Sequence, residues 1–180
     1  MIIGLTGSIG SGKSWVTAII HAHFEVAIID LDLLGHDILK ESTLIQKLCQ
    51  TFGESILDST GQINRKNLGS LAFSSPENLA KLNQITHPEI KKTALTLLNK
   101  PLQNTMIVGA LIQEIGLSPL CDKMIVVTAP DKQLPEEKRP IRSHQRSEED
   151  YLLVADIILK NPFTHEFEHE VLRLFRNLLL

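Results

Sequence analysis

The sequence has few cysteines and no long hydrophobic run. Its two cysteines, Cys49 and Cys121, lie far apart and lack the spacing of a metal site, so we expect no thiol chemistry. The apolar runs are too short to span a membrane. We expect no secretory signal at the start, because the first residues have the pattern of a core strand. These absences predict a soluble protein in a reducing, cytoplasmic setting.

The sequence also lacks an excess of basic residues. Lysine and arginine number 18 and aspartate and glutamate 21, which gives a formal net charge of −3. A protein whose main partner is nucleic acid would carry a basic excess, so we expect no such partner. A chain of 180 residues supports one sizeable hydrophobic core. We therefore expect a single domain over 1–180.

A glycine-rich stretch near the start has a phosphate-binding pattern. Gly7–Ser14 reads GSIGSGKS and matches G-x-x-x-x-G-K-[ST]. In this pattern, glycines let backbone N–H groups converge on phosphate oxygens, the lysine bridges the β- and γ-phosphates, and the hydroxyl holds Mg²⁺. Apolar Met1–Thr6 predicts a strand before the loop, and Lys13–His23 predicts an amphipathic helix after it. We therefore predict a nucleotide site rather than a glycine-rich turn that binds nothing.

Five short apolar runs predict the strands of a parallel sheet that helices cover on both faces. They are 2–6, Val26–Asp30, Thr105–Gly109, Lys123–Thr128 and Asp156–Leu159. Ligands of such sheets bind beyond the carboxyl ends of the strands. Thr6, Asp30 and Gly109 stand at three of these ends, so we expect the site there.

The other segments predict an insert, a lid-like loop and a closing helix. Residues 42–100 form a helical insert between the second and third strands, with a turn at Asp58–Gly61. The stretch 130–150 has three prolines, many charges and little periodicity, which predicts a mobile excursion over 131–150. That excursion is either a lid over the phosphates or a solvated surface loop. Residues 164–180 predict an amphipathic closing helix.

Two aspartates follow the second strand. Asp30 and Asp32 are two residues apart, so on a regular strand both side chains would point the same way. Phosphoryl transfer needs a metal that neutralises charge and a group that orients and deprotonates the acceptor hydroxyl. An aspartate beside the glycine loop suits either task. The alternative for Asp32 is the N-cap of a short helix, and which aspartate does chemistry stays open here.

Further motifs follow the glycine loop in a fixed order. Residues 3–14 read IGLTGSIGSGKS and residues 155–161 read ADIILKN. Between them lie DLD at 30–32, a glycine–arginine segment with Asp58, Gly61, Ile63, Arg65, Leu68 and Phe73, a His-Pro pair with Ile85, His87 and Pro88, and ALIQE ending at Glu114. With these motifs the chain resembles the bacterial dephospho-CoA kinases over nearly its whole length. The glycine loop alone is generic, whereas the ordered set is specific.

The resemblance implies an α/β fold of the P-loop kinase type. It is a three-layer sandwich with a five-stranded parallel sheet, a helical acceptor-binding insert at 42–100 and a short lid. The resemblance also implies ATP and Mg²⁺, with phosphate transfer to the 3′-hydroxyl of dephospho-CoA in the last step of coenzyme A synthesis. ATP and dephospho-CoA would then be the partners of this chain, for which we expect a monomer or a weak homo-oligomer.

The resemblance assigns roles to single residues. Asp32 becomes the general base and, with Ser14, a ligand of Mg²⁺, while Lys13 acts catalytically on the phosphates. The nucleotide-binding residues would be Gly10, Ser11, Gly12, Lys13, Ser14, Trp15 and Asn161, the last near the adenine. The acceptor would be bound by Asp30, Arg65 and His87. The alternatives are that Arg65 is an ordinary surface residue and that His87 caps a helix beginning at Pro88.

The chain departs from the family mainly in its lid. Only residues 131–144 separate Pro130 from Gln145, where the family has a longer stretch with an arginine-bearing helix. We expect Arg139 and Arg142, near the turn at Pro140, to replace that helix in part, with Arg142 as a catalytic residue. The smaller departures are Ser8 for a glycine, Trp15 for a small hydroxyl residue and Ala110 for a proline.

Three rival functions follow from the same sequence. His165–His169, HEFEH, matches the zinc motif H-E-x-x-H on a predicted helix. A hydrolytic zinc site needs a third protein ligand, and only Glu170 follows as a candidate. We therefore interpret the motif as part of the solvent-exposed face of the closing helix. A nucleoside monophosphate kinase shares the cradle and lid logic. The third rival is a nucleotide-binding protein with weakened or lost transfer.

Overall fold

The computed structural model describes residues 1–99, 104–130 and 146–179. The chain forms two compact units, which we call the sheet unit (1–31 and 98–180) and the helical unit (32–97). Among the described residues, no helix is both long and apolar enough to cross a membrane.

The sheet unit is built on five parallel strands in the order β2–β3–β1–β4–β5. The strands are β1 Ile2–Thr6, β2 Val26–Asp30, β3 Asn104–Val108, β4 Lys123–Thr128 and β5 Ile157–Lys160. The predicted parallel sheet is confirmed, and the third and fifth strands shift by one residue each. The three central strands are buried almost throughout, whereas the edge strands β2 and β5 alternate in part. This pattern is typical of a parallel sheet with both faces covered.

Two helices supply much of the core on the sheet. Helix α1, Lys13–His23, buries Val16, Ile19 and Ile20, spaced so that they share one helix face. The last helix of the chain, His165–Leu179, buries Phe167, Val171 and Phe175 in the same core cluster. The predicted helix after the loop and the predicted closing helix are therefore confirmed.

The helical unit contains most of α2 to α5. These are α2 Leu31–Ile38, α3 Ser42–Phe52, α4 Arg65–Ala72 and α5 Pro76–Leu98, with a 3₁₀ turn at Glu54–Ile56. We expected the insert over 42–100, but the compact unit begins at Asp32 because β2 passes directly into α2. The predicted turn at Asp58 is present, since its carboxylate accepts the N–H groups of Thr60 (2.8 Å) and Gln62 (3.1 Å). The hydrogen bond from the Thr60 hydroxyl, together with these two N–H bonds, lowers the pKa of Asp58.

Two local expectations are wrong. Helix α5 runs through Pro88, so His87 lies inside a helix and does not cap one that begins at Pro88. The proline removes one i→i−4 bond, which the rest of this 23-residue helix tolerates. The last residues of the predicted irregular excursion are helical instead, because α6, Glu148–Leu152, begins at a capping box that Ser147 forms with Asp150. Residues 131–145, with Arg139 and Arg142, lie outside the described residues.

Candidate active site

The glycine loop joins β1 to α1 through backbone conformations that other residues adopt with strain. Gly7, Gly10 and Gly12 have φ of 140°, 83° and 99°, in the region that favours glycine. At Gly7 there is also no room for a side chain, because a Cβ would overlap the carbonyl oxygen of Val127. These glycines therefore let the backbone curve tightly where the sequence predicts a phosphate cradle.

The lysine and the helix start bring positive charge to the loop. The ammonium of Lys13 donates hydrogen bonds to the carbonyl oxygens of Gly7 (2.8 Å) and Ser8 (2.9 Å). The first helical bonds come from the N–H groups of Trp15 and Val16, which both donate to the Gly12 carbonyl. The loop amides thus lie at the N-terminal end of α1, where a helix favours anions. Ser14 is exposed in the first turn of this helix.

Trp15 packs beside the loop. Its ring lies 5.5 Å from the ring of Phe167 on the closing helix, and its side chain packs against the main core. The bulky residue that replaces a small hydroxyl residue is therefore accommodated by the closing helix. Trp15 remains half-buried at the edge of the cradle.

A cavity of about 350 Å³ lies at the carboxyl ends of β4 and β5, in the sheet unit. It is lined by Thr128, Ala129, Pro130, Glu148, Lys160, Asn161 and Pro162. Its volume falls within the range of about 300–1,000 Å³ that small-molecule sites occupy. Asn161 also reaches the glycine loop, because its amide nitrogen donates to the Ser11 carbonyl at 3.0 Å. The cavity and the cradle therefore share a wall.

The two aspartates occupy different elements. Asp30 ends β2 and is half-buried in the sheet unit, whereas Asp32 is exposed in the first turn of α2 in the helical unit. The expected common direction assumed a regular strand through both residues, but β2 ends at Asp30 and α2 begins at Leu31. The N-cap alternative for Asp32 is wrong, since α2 begins at Leu31. A negative charge in a first helical turn is favoured by the helix dipole.

Gly109 directly follows the last residue of β3. Gly109 has a φ of 155°, and a Cβ there would lie 2.9 Å from the Cβ of Leu31. The start of α2 therefore packs directly against the end of β3. Thr6, at the end of β1, is fully buried.

The helical unit has a cavity of its own, of about 590 Å³. It is lined by Leu33, His36, Asp37, Leu39, Lys40, Gln62, Ile63 and Arg65. Arg65 is the first residue of α4, whose start is fixed by the side chain of Asn64, an acceptor for the N–H groups of Lys66 and Asn67. Arg65 therefore lies beside a cavity. An ordinary surface residue would not need such a position.

His87 lies elsewhere in the helical unit. It is half-buried in the middle of α5 and is not among the described residues that line the 590 Å³ cavity. Burial lowers the pKa of its imidazole. The neutral form is therefore favoured at neutral pH, which suits a hydrogen-bonding group better than an anion-binding cation.

Glu114, which follows β3 in the chain, forms an ion pair with Arg146. Neither residue was among the predicted site residues. The Glu114 carboxylate accepts a hydrogen bond from Arg146 Nε at 3.0 Å. Burial raises the pKa of Glu114, and the Arg146 charge opposes that rise. Next to it, the Gln113 amide donates to the Asp150 carbonyl at 3.1 Å. The signal in the sequence was the ALIQE run, but the partner lies 32 residues away.

The zinc motif does not form a metal centre within the described ranges. His165 and His169 are both exposed on the closing helix. No group of three or more histidine, cysteine, aspartate or glutamate side chains suited to a metal ion occurs among the residues that the structure describes.

Comparison with known proteins shows the family of the chain. A family model for dephospho-CoA kinase matches residues 1–166. The chain is 34% identical over 173 residues to the dephospho-CoA kinase of Fusobacterium nucleatum, with 89% of each chain covered. The chain belongs to the dephospho-CoA kinase family. It is therefore a kinase, a phosphotransferase that acts on an alcohol group and uses ATP.

Solved structures support the fold. TT1252 from Thermus thermophilus matches with a TM-score of 0.80 and 26% identity, covering 100% of this chain and 98% of that one. The dephospho-CoA kinase from Campylobacter jejuni matches with a TM-score of 0.66 and 24% identity, and the match covers 98% of this chain and 96% of that one. The predicted P-loop kinase fold and the predicted family are confirmed. The family match favours this kinase over a nucleoside monophosphate kinase.

Proposed function

We propose that this protein transfers the γ-phosphoryl group of ATP to the 3′-hydroxyl of dephospho-CoA, the last step of coenzyme A synthesis. The observation that carries the proposal is an intact phosphate cradle in a chain that matches the family over 1–166. The proposal includes the expected cytoplasmic location and the expected monomeric or weakly oligomeric state.

On the donor side, the cradle holds the phosphates and stabilises charge. The amides at the start of α1 and the Lys13 ammonium offer positive charge to the β- and γ-phosphates. Lys13 then exchanges the carbonyl oxygens of Gly7 and Ser8 for phosphate oxygens. Charge stabilisation by such preorganised groups is the main contribution to phosphoryl transfer. We place the adenine of ATP in the 350 Å³ cavity beyond β4 and β5.

Three of the candidate residues carry side chains of the type that binds Mg²⁺. The exposed Ser14 hydroxyl and the carboxylates of Asp30 and Asp32 are hard oxygen donors. Mg²⁺ in kinases takes one or two protein oxygens and fills its other positions with phosphate and water, so no larger cluster is required. We assign Ser14 and Asp32 as its ligands. When bound, the ion neutralises phosphate charge during transfer.

On the acceptor side, Asp32 serves as general base. It takes the proton of the 3′-hydroxyl as that oxygen forms its bond to the γ-phosphorus, while the bond to the bridging oxygen breaks and ADP leaves. Arg65 and the 590 Å³ cavity bind the anionic part of the acceptor, because a guanidinium pairs with phosphate through two hydrogen bonds. Asp30 and His87 complete the proposed acceptor residues.

The test is ATP-dependent conversion of dephospho-CoA to coenzyme A by the purified protein, followed by mass spectrometry. Nucleoside monophosphates serve as competing acceptors. We expect transfer to dephospho-CoA and little transfer to the monophosphates. Preferred transfer to a monophosphate contradicts the proposal, and ATP binding without transfer to any acceptor identifies a nucleotide-binding protein that has lost the reaction.

A further inference from the structure

Asn161 follows the last strand of the sheet and turns its side chain into the protein. Its backbone N–H donates to the Thr128 carbonyl at 2.8 Å, which extends the β4–β5 ladder by one residue. The residue is 1% exposed. An amide buried to this degree presents little surface to a ligand in the adjoining cavity, although we expected Asn161 beside the adenine.

Both ends of the Asn161 amide are bound to backbone. The oxygen accepts the N–H of Phe163 at 2.8 Å, and the nitrogen donates to the Ser11 carbonyl at 3.0 Å. Phe163 offers only a donor and Ser11 only an acceptor, so a single orientation of the amide satisfies both. Phe163 also has a left-handed φ of 59°, and an Asx bond of this kind stabilises such a turn. The orientation of the amide is therefore fixed.

The fixed amide in turn sets the geometry of the cradle. A peptide unit is planar and trans, so its C=O and N–H point in opposite directions. Anchoring the Ser11 carbonyl on Asn161 thus directs the Gly12 N–H away from Asn161. Gly12 must stay a glycine, because a Cβ there would overlap the Asn161 amide nitrogen. One side chain, 150 residues away from Ser11 in sequence, therefore fixes the Ser11–Gly12 peptide.

We propose that Asn161 is a positioning residue for the phosphate cradle, holding the Ser11–Gly12 peptide, and not a contact for the adenine. The inference rests on the proposed function only in requiring that the loop binds nucleotide phosphates. An asparagine that lines this cavity could either contact the adenine or hold the glycine loop in shape. The proposal assigns Asn161 the second role alone.

The test separates the cradle from the base by using three ligands. Inorganic tripolyphosphate with Mg²⁺ probes the cradle alone, adenosine probes the base site alone, and ATP probes both. Binding is followed by calorimetry and by the fluorescence of Trp15, the single tryptophan of the chain, which lies beside the loop. The variants are Asn161→Leu, which keeps the branched shape but has neither the donor to Ser11 nor the acceptor for Phe163, and Asn161→Ala, which also lacks both and introduces no overpacking if the leucine variant does not fold.

We expect both variants to bind tripolyphosphate and ATP about tenfold more weakly, the size of effect that loss of one such hydrogen bond gives. Adenosine affinity stays unchanged. Weaker binding of adenosine and ATP with unchanged tripolyphosphate binding overturns the inference in favour of an adenine contact. A lowered melting temperature with all three affinities unchanged also overturns it, since that outcome shows a merely structural role.

The matched control is Asn104→Ala. Asn104 opens β3 at the opposite end of the sheet, where its side chain accepts a bond from the N-terminal ammonium, so its loss leaves all three affinities unchanged. None of these measurements uses dephospho-CoA. If the wild-type protein fails to phosphorylate dephospho-CoA, the proposed function is wrong, while the role of Asn161 in phosphate binding is still decided.

Discussion

The sheet unit and the helical unit carry their candidate residues in different ways. In the sheet unit the cradle is made of backbone, with glycines at positive φ and a buried asparagine on the Ser11 carbonyl. In the helical unit the candidates Asp32 and Arg65 are exposed side chains in the first turns of two helices. A site made of backbone imposes glycine on the sequence, whereas a site made of exposed side chains imposes no general pattern. The donor half is therefore recognisable in any P-loop protein, and the acceptor half only through its family.

The largest effect should come from the aspartate of the helical unit. Asp32→Asn keeps the shape but removes the base, so turnover falls by about 10²–10⁴-fold while ATP affinity largely survives. The measurement is kcat for dephospho-CoA phosphorylation beside calorimetric ATP binding. Asp30→Asn is the matched variant on the sheet unit. If Asp30→Asn is crippling and Asp32→Asn mild, the base belongs to the sheet unit and the assignment is reversed.

The next effect concerns the single charged side chain of the cradle. Lys13→Ala removes positive charge from the β- and γ-phosphates, and turnover should fall by about 10²–10³-fold, as for other preorganised electrostatic groups. Steady-state kinetics with saturating ATP measures the loss. Lys123→Ala, at the start of β4 and partly exposed, is a control of equal charge that leaves turnover unchanged. Near wild-type turnover in the Lys13 variant removes the cradle from the mechanism.

A smaller effect should be confined to the acceptor. Arg65→Ala removes a guanidinium from the 590 Å³ cavity, so KM for dephospho-CoA rises by about tenfold, the effect of losing a charged hydrogen bond. KM for ATP stays the same. Lys66→Ala changes the next residue of the same helix, which does not line the cavity, and should alter neither KM. An equal rise of both KM values in the Arg65 variant contradicts an acceptor role.

The sequence was sufficient for the features that depend on local pattern. Buried strands read as short apolar runs, and the glycine loop between a strand and a helix specifies its own conformation. The capping box of Ser147 and Asp150 was not predicted, because the prolines and charges of this stretch favoured an irregular excursion. Pro88 likewise favoured a helix start, whereas the flanking turns of α5 carry the helix through it.

The features that the sequence did not predict depend on distant partners. No local pattern joins Asn161 to Ser11, or Glu114 to Arg146, because each pair meets only when the sheet is assembled. The exposure of Asp32 and the burial of His87 are likewise set by neighbours in the fold. Local spacing therefore predicts which residue types are present at a site, and tertiary packing decides which of them face a ligand.

The smallest effect should appear in stability rather than in activity. Burial in the helical unit lowers the pKa of His87, so the unfolded chain binds this proton more readily than the folded chain. The contribution of His87 to the free energy of unfolding is then fully present above the ordinary histidine pKa of about 6.5. It is lost as the pH falls through the lower pKa that His87 has in the folded protein. The glutamine of His87→Gln cannot be protonated, so the melting temperature of this variant should fall less than that of the wild type between pH 7 and pH 5.

The control is His23→Gln, which removes an exposed imidazole at the end of α1 in the sheet unit. This variant should keep the wild-type difference in melting temperature. An unchanged difference in the His87 variant would show that this imidazole is solvated in the folded protein, and that the acid sensitivity of the chain does not arise in the helical unit through His87.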